Sequence, residues 1–198
     1  MKRNVILLAC LLGISMWALG QKKPKKTQAA APSSASLTIP GSAFLRPWEK
    51  PSDVIIDYKQ PFAPLPKFTI VNYQNKNITE EVLHNGANLI LMMFNPTCDH
   101  CEEETDLMLK NIFLFQKSKL LLVAASVQTA NLPYFESLVH FSQYPSTMTV
   151  AVDSANLIDK LFTYKALPQI NIYDGAQHRL IKTFEGFVPL DSLKPYIQ

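Results

Sequence analysis

The pattern of apolar and polar positions predicts alternating strands and helices from residue 61 onward. Two continuous apolar runs, residues 88–95 and 119–127, are typical of strands buried on both faces of a sheet. Residues 147–153 predict a third buried strand. Residues 67–73 alternate between apolar and polar, which predicts a strand with one buried face.

Helical spacing appears between these strands. Residues 98–117 place one set of side chains on a common face, and residues 131–144 predict a second helix with Pro133 in its first turn. Ser154 is predicted to cap a short helix that runs to Tyr164. The shared face of the first helix consists of Cys101, Thr105, Met108, Ile112 and Phe115, joined by Leu109 and Phe113.

The end of the chain predicts a hairpin. Two alternating runs flank Asp174 and Gly175, a strong turn pair, and an amphipathic stretch follows at 189–197. Strands that alternate with helices and end in a hairpin predict an α/β fold with a mixed sheet and helices on both faces. In such sheets reactive groups gather at the carboxyl ends of the strands. The strand at 88–95 ends beside the sequence NPTCDHCEEE.

The first 60 residues differ in composition from the rest. Two basic residues and an apolar run predict a cleaved signal peptide over residues 1–20, with an uncleaved membrane anchor as the alternative. Residues 21–60 are rich in Lys, Ala, Ser and Pro, as expected of a solvated tether. Residues 61–198 are predicted to form one domain. The tether holds seven basic against three acidic residues and the domain ten against thirteen, so no nucleic-acid partner is expected.

Cleavage would leave two cysteines, Cys98 and Cys101, for which several functions are open. A structural disulfide three residues apart would close a short loop and stabilise the fold little. Zinc would need two more ligands, and the histidines show no ligand spacing to one another. A copper carrier that uses both cysteines and His100 remains an alternative, because two thiolates and an imidazole suit a soft ion. Otherwise no metal and no organic cofactor is expected.

A redox function explains the sequence around Cys98 and Cys101 more fully than a structural disulfide or a metal site does. At the start of a helix, free backbone N–H groups and the helix dipole favour the thiolate form of Cys98, and Cys101 lies one turn further on. His100, if protonated, would stabilise that thiolate, whereas Asp99 and the acidic residues after it oppose it. Glu104 can share the inward face of Cys101 and exchange a proton with it.

From about Pro61 to its end, the chain resembles the thioredoxin-like fold, and more narrowly the TlpA/ResA-like thiol-disulfide oxidoreductases of bacterial envelopes. The resemblance rests on the buried strand before FNPTCDHC, the helix-bearing segment before TVAVD, and LPQINIYDG with its second hairpin strand. It implies a three-layer α/β/α domain and a periplasmic location. It also implies a cis bond before Pro168, with Leu167 presenting its backbone to an extended substrate.

The same resemblance implies the activity. Cys98 attacks the disulfide of a client protein, Cys101 resolves the mixed disulfide, and Glu104 matches a glutamate of the envelope reductases. Reduction of clients is the favoured direction, with a membrane electron donor or another thioredoxin-like protein as the second partner. Departures from the family pattern at Thr97, Asp99 and His100 leave the direction of electron flow open. A peroxiredoxin shares the fold, but its signature of a lone peroxide-reactive cysteine is not matched.

Overall fold

The computed structural model describes residues 56–83 and 86–197. The predicted signal peptide and the predicted tether before Ile56 lie outside these residues. Within the described ranges, no helix is both long enough and apolar enough to cross a membrane.

Strands and helices alternate through the described residues as the pattern predicts. The strands are β1 (Thr69–Asn72), β2 (Asn77–Thr79), β3 (Asn88–Phe94), β4 (Ser118–Ala125), β5 (Met148–Asp153), β6 (Gln169–Tyr173) and β7 (Leu180–Glu185). The helices are α1 (Asp99–Lys110), α2 (Leu132–Val139), α3 (Leu157–Leu161) and α4 (Leu190–Leu193). Short 3-10 helices cover Glu80–Leu83, Ile112–Phe115, Ser126–Asn131, Phe141–Gln143 and Lys194–Tyr196.

The described strands form one mixed sheet in the order β2-β1-β5-β4-β3-β6-β7. Strands β3, β4 and β5 run parallel, whereas β6 is antiparallel to β3 and β7 is antiparallel to β6. Every residue of β3 after Asn88 is buried, as its unbroken apolar sequence predicts for a central strand. The predicted mixed α/β sheet is confirmed.

Helices cover both faces of the sheet. On one face, α1, α2 and α4 pack against alternate side chains of the central strands, and Phe135 is one of the fully buried residues of this core. On the other face, Ile158 of α3 and the neighbouring Phe162 pack against the opposite set of strand side chains. The ring of Tyr58, which belongs to the predicted tether, lies edge-on to Phe162 at 6.2 Å. The layers are therefore α/β/α, as expected.

Several predicted helix boundaries were wrong. Helix α2 ends at Val139 rather than continuing to residue 144, because His140 takes a left-handed conformation with φ of 56°. Ser154 does not cap α3. That helix starts after Asn156, and the Asp153 carboxylate accepts a hydrogen bond from the Ile158 N–H. The short strand β2 was missed, since its three residues carry no clear alternation.

Candidate active site

The two cysteines follow a tight turn at the carboxyl end of β3. The side-chain oxygen of Asn95 accepts hydrogen bonds from the N–H and the hydroxyl of Thr97, both at 3.0 Å. The Asn95 carbonyl accepts one from the Cys98 N–H at 3.1 Å. Cys98 has extended backbone angles and is the N-cap residue of α1, so its carbonyl accepts the first hydrogen bonds of the helix. The turn thus places Cys98 at the helix start, as predicted.

The two sulfur-bearing residues differ in their access to solvent. Cys98 is half-buried and Cys101, one turn along α1, is fully buried; both thiols are free. Burial strongly raises the pKa of the Cys101 thiol, and the N–H of Asn95 offsets part of this effect. The neighbouring Cys98 and the negative charge of Glu104 raise this pKa further. Cys101 is therefore held as a neutral thiol until a base removes its proton.

Glu104 lies on the buried side of α1, three residues after Cys101. Its side chain is inaccessible to solvent, and its Oε2 accepts a hydrogen bond from the N–H of Val188 at 2.7 Å. Its Oε1 has no hydrogen-bond partner within the described residues. Burial raises the pKa of this carboxyl to about 7, although the Val188 N–H acts in the opposite direction. Both protonation states are accordingly accessible near neutral pH.

The raised pKa of Glu104 predicts that the folded state loses stability as the pH rises. Below pH 4.5 the carboxyl is protonated in folded and unfolded chains alike. Between pH 4.5 and about 7 the unfolded chain releases the proton first, so the free energy of unfolding falls, by roughly 3 kcal/mol in total. Glu104→Gln carries no titrating group and is expected to remove this loss. Urea denaturation of wild type and variant across pH 4 to 8 measures the difference.

Glu103 offers a matched control for this experiment, because it is the neighbouring carboxylate and its side chain is exposed. Glu103→Gln keeps Glu104 and is therefore expected to retain the loss of stability between pH 4.5 and about 7. Equal pH slopes in the wild type and in Glu104→Gln would contradict the raised pKa.

The peptide bond between Leu167 and Pro168 is cis, which confirms the conformation that the resemblance implied. Gln169 pairs with Met93 in the antiparallel β3–β6 ladder, so Pro168 lies at the sheet edge where β3 ends. The carbonyl of Pro168 accepts a hydrogen bond from the Gly186 N–H at 2.8 Å. Gly186 has φ of +79°, a conformation that favours glycine. The predicted role of Leu167 and Pro168 in substrate binding stays a prediction.

The remaining predicted site residues, Asp99 and His100, are both exposed in the first turn of α1. Their predicted influence on Cys98 stays a prediction. Over the part of the chain that the structure describes, no three His, Cys, Asp or Glu residues are grouped so that they could hold a metal ion. The geometry therefore offers nothing in favour of the copper-carrier alternative.

Solved structures of the same architecture decide the fold. No protein-family model and no curated protein matches the sequence. A putative thiol:disulfide interchange protein DsbE from Chlorobium tepidum superposes with a TM-score of 0.55 at 18% identity, over 70% of this chain and 95% of that one. The fold is thioredoxin-like.

Two further neighbours have the same thioredoxin-like architecture. The thioredoxin domain of a thiol-disulfide oxidoreductase from Bacteroides vulgatus gives a TM-score of 0.56 at 12% identity, over 70% of this chain and 99% of that one. A secreted disulfide oxidoreductase from Mycobacterium tuberculosis, homologous to DsbE of E. coli, gives 0.52 at 15% identity, over 66% and 93%. The predicted resemblance is confirmed in that these structural neighbours are thiol-disulfide oxidoreductases. At these identities the likeness establishes the fold.

Sequence reasoning missed three residues that position groups at this edge of the thioredoxin-like sheet. Asn95 builds the turn before Cys98, and an Asn followed by Pro is a turn signal that could have identified it. Gly186 contacts the carbonyl of Pro168, and Val188 contacts Glu104. The last contact joins residues 84 positions apart in sequence, so local periodicity carries no signal for it.

Proposed function

We propose that this chain is an exported thiol-disulfide oxidoreductase that exchanges a Cys98–Cys101 disulfide with client proteins, acting as their reductant. The observation that carries the proposal is the pairing of a half-buried sulfur at the start of α1 with a fully buried one a turn later. A client disulfide can reach Cys98 but not Cys101. Each sulfur is thereby suited to a different step of the exchange.

In the proposed first step the Cys98 thiolate attacks one sulfur of a client disulfide. A bond forms between the two sulfurs, the client's own S–S bond breaks, and the second client sulfur leaves as a thiolate. Cys101 then loses its proton and attacks the Cys98 sulfur. The mixed disulfide breaks, the first client sulfur leaves as a thiolate, and two electrons have passed from the protein to the client. The proton that Cys101 releases needs an acceptor inside the protein.

Glu104 is the proposed acceptor of that proton. Its carboxyl is buried on the same side of α1, it interacts electrostatically with Cys101, and its pKa of about 7 makes the carboxylate available near neutral pH. When a membrane donor or another thioredoxin-like protein reduces the oxidised pair, the protonated carboxyl returns the proton to Cys101. The buried site thus exchanges the proton internally during both halves of the cycle.

Export is part of the proposal. It is supported by the signal-like composition of the first 20 residues, and one structural neighbour is a secreted disulfide oxidoreductase. Under the oxidising conditions outside the cytoplasm, client proteins would form disulfides, and a dedicated reductant would be needed to reduce them. The bacterial periplasm is the proposed compartment.

Trapping of mixed disulfides tests the proposal. In Cys101→Ala the resolving thiol is absent, so clients are expected to remain covalently attached to Cys98 and to be released by dithiothreitol. Mass spectrometry of the trapped species would identify them. Cys98→Ala combined with Cys101→Ala is the matched control and is expected to trap nothing. A Cys101→Ala protein that traps no client, together with a wild-type protein that reduces no disulfide peptide, would overturn the function.

A further inference from the structure

The strand order places exposed apolar side chains on both sides of Cys98. Strands β4, β3, β6 and β7 are neighbours in the sheet. Their register places the ends of β4, β3 and β7 and the start of β6 at the same edge of the sheet. Val127 follows β4 and is 80% exposed, and Phe187 follows β7 and is 45% exposed. Cys98 follows β3, between these two positions. Leu167, which is half-buried, precedes β6 at the same edge.

Phe187 is held in place by the backbone on either side of it. The Gly186 N–H donates to the carbonyl of Pro168 at 2.8 Å, and the Val188 N–H donates to the carboxyl of Glu104 at 2.7 Å. The first hydrogen bond links this segment to Pro168, a predicted substrate-binding residue, and the second links it to the buried carboxyl of Glu104. A single exposed apolar residue needs no explanation, but this one is fixed beside the reactive edge.

The first turn of α1 adds negative charge to this edge. Asp99 and Glu103 are exposed, and Glu102 is half-buried. The ion pairs among the described residues, Lys110 with Asp106 and Lys194 with Asp191, involve none of these three carboxylates. An approaching segment therefore meets, beside Cys98, carboxylates that form no ion pair among the described residues, which favours basic over acidic partners.

We propose that the edge binds client disulfides whose cysteine lies in an extended, basic segment with a large apolar side chain on each side. This rests on the proposed function and adds the class of client to it. Three strand spacings separate β4 from β7, roughly 14 Å, which an extended peptide spans with about four residues. The apolar side chains should thus lie about two residues before and after the client cysteine, against Val127 and Phe187.

A set of disulfide peptides tests this proposal with the full-length protein. One peptide carries Leu and Phe two residues to either side of its cysteine together with Lys. A second replaces Leu and Phe with Ser, and a third replaces Lys with Glu. The wild type is expected to reduce the first peptide with a kcat/KM about tenfold above either of the others, mainly through KM. Added salt should narrow the gap between the Lys and Glu peptides.

Phe187→Ser should lower kcat/KM for the apolar peptide about tenfold, so that this variant reduces the apolar peptide and the Ser peptide with similar kcat/KM. The matched control is Phe113→Ser. Phe113 is 62% exposed and belongs to Ile112–Phe115, which lies at the opposite end of α1. This control is expected to behave as wild type with every substrate.

The outcomes separate this inference from the function on which it rests. Equal rates with all three peptides, or a Phe187→Ser protein that keeps the wild-type preference, would overturn the proposed client class, while reduction of hydroxyethyl disulfide would preserve the oxidoreductase function. Failure to reduce any disulfide, hydroxyethyl disulfide included, would overturn both.

Discussion

Replacement of Cys98 by serine is expected to lower kcat/KM for reduction of a disulfide peptide by about 1000-fold or more. A hydroxyl is a far weaker nucleophile than a thiolate, and among the described residues the other thiol is that of Cys101. Cys101 is fully buried, and its pKa is strongly raised by that burial, so it can neither reach a client nor ionise readily. The decrease is measured with the reduced protein and a fluorescent disulfide peptide.

Cys101→Ser is the informative companion to this variant. It retains Cys98 and should attack a small disulfide in a single turnover at close to the wild-type rate, stopping at the mixed disulfide. Both substitutions replace sulfur by oxygen, one turn apart at the start of α1. A loss of attack in Cys98→Ser alone therefore shows that Cys98 is the nucleophile, whereas a general loss of structure would affect both variants. Near wild-type turnover in Cys98→Ser would show that the reactive sulfur is elsewhere.

Replacement of Phe135 by alanine is expected to have the largest effect on stability, lowering the free energy of unfolding by about 3–5 kcal/mol. Phe135 lies on α2 and is inaccessible to solvent. Its ring centroid is 4.9 Å from that of Phe94, at the end of β3, and 6.0 Å from that of Phe141. Truncation removes these ring contacts and leaves a cavity between the helix and the sheet. The loss is large against the 5–15 kcal/mol that typically stabilises a domain.

Tyr134 provides the control for the core substitution, because it precedes Phe135 on the same helix but is 54% exposed. Tyr134→Ala should change the free energy of unfolding by no more than about 0.5 kcal/mol. Both values come from urea denaturation at fixed pH. Similar losses in the two variants would contradict the assignment of the effect to packing of Phe135 in the core, because alanine favours a helix more than either aromatic residue does.

The placement of the candidate site residues was predictable as far as they lie along one helix, whereas their roles stay predictions. The spacing of Cys98, Cys101 and Glu104 places them on successive turns, and the apolar face of the helix identified Cys101 as the inward residue. The structure places both Cys101 and Glu104 at zero exposure, in agreement with that spacing. The conformation before Pro168 was correct too, but it came from the resemblance, because sequence alone favours trans.

Predictions failed where a boundary depends on residues distant in sequence or on a local conformation that periodicity does not encode. The apolar pattern of α2 continues beyond Val139, yet His140 adopts a left-handed conformation and Phe141 turns into the core. The carboxylate of Asp153, rather than the predicted Ser154 side chain, accepts a hydrogen bond from the first turn of α3, because the end of β5 holds this carboxylate near the Ile158 N–H. Hydrophobic periodicity indicates which side chains are buried. The end of α2 and the start of α3 depend instead on contacts between packed elements, which periodicity does not show.

The sequence by itself determined the order of strands and helices, the burial of the central strands and the position of the cysteine pair at the end of one of them. These features follow from apolar periodicity and short spacings, which act over a few residues. Only the tertiary structure decided that Val188 donates to Glu104 and that Gly186 donates to Pro168, thereby placing Phe187 at the reactive edge. Those contacts form because antiparallel pairing of β6 with β3 brings the hairpin of β6 and β7 to the end of β3. The hairpin has a local turn signal, but the pairing of β3 with β6 joins residues distant in sequence and leaves no mark in the local sequence.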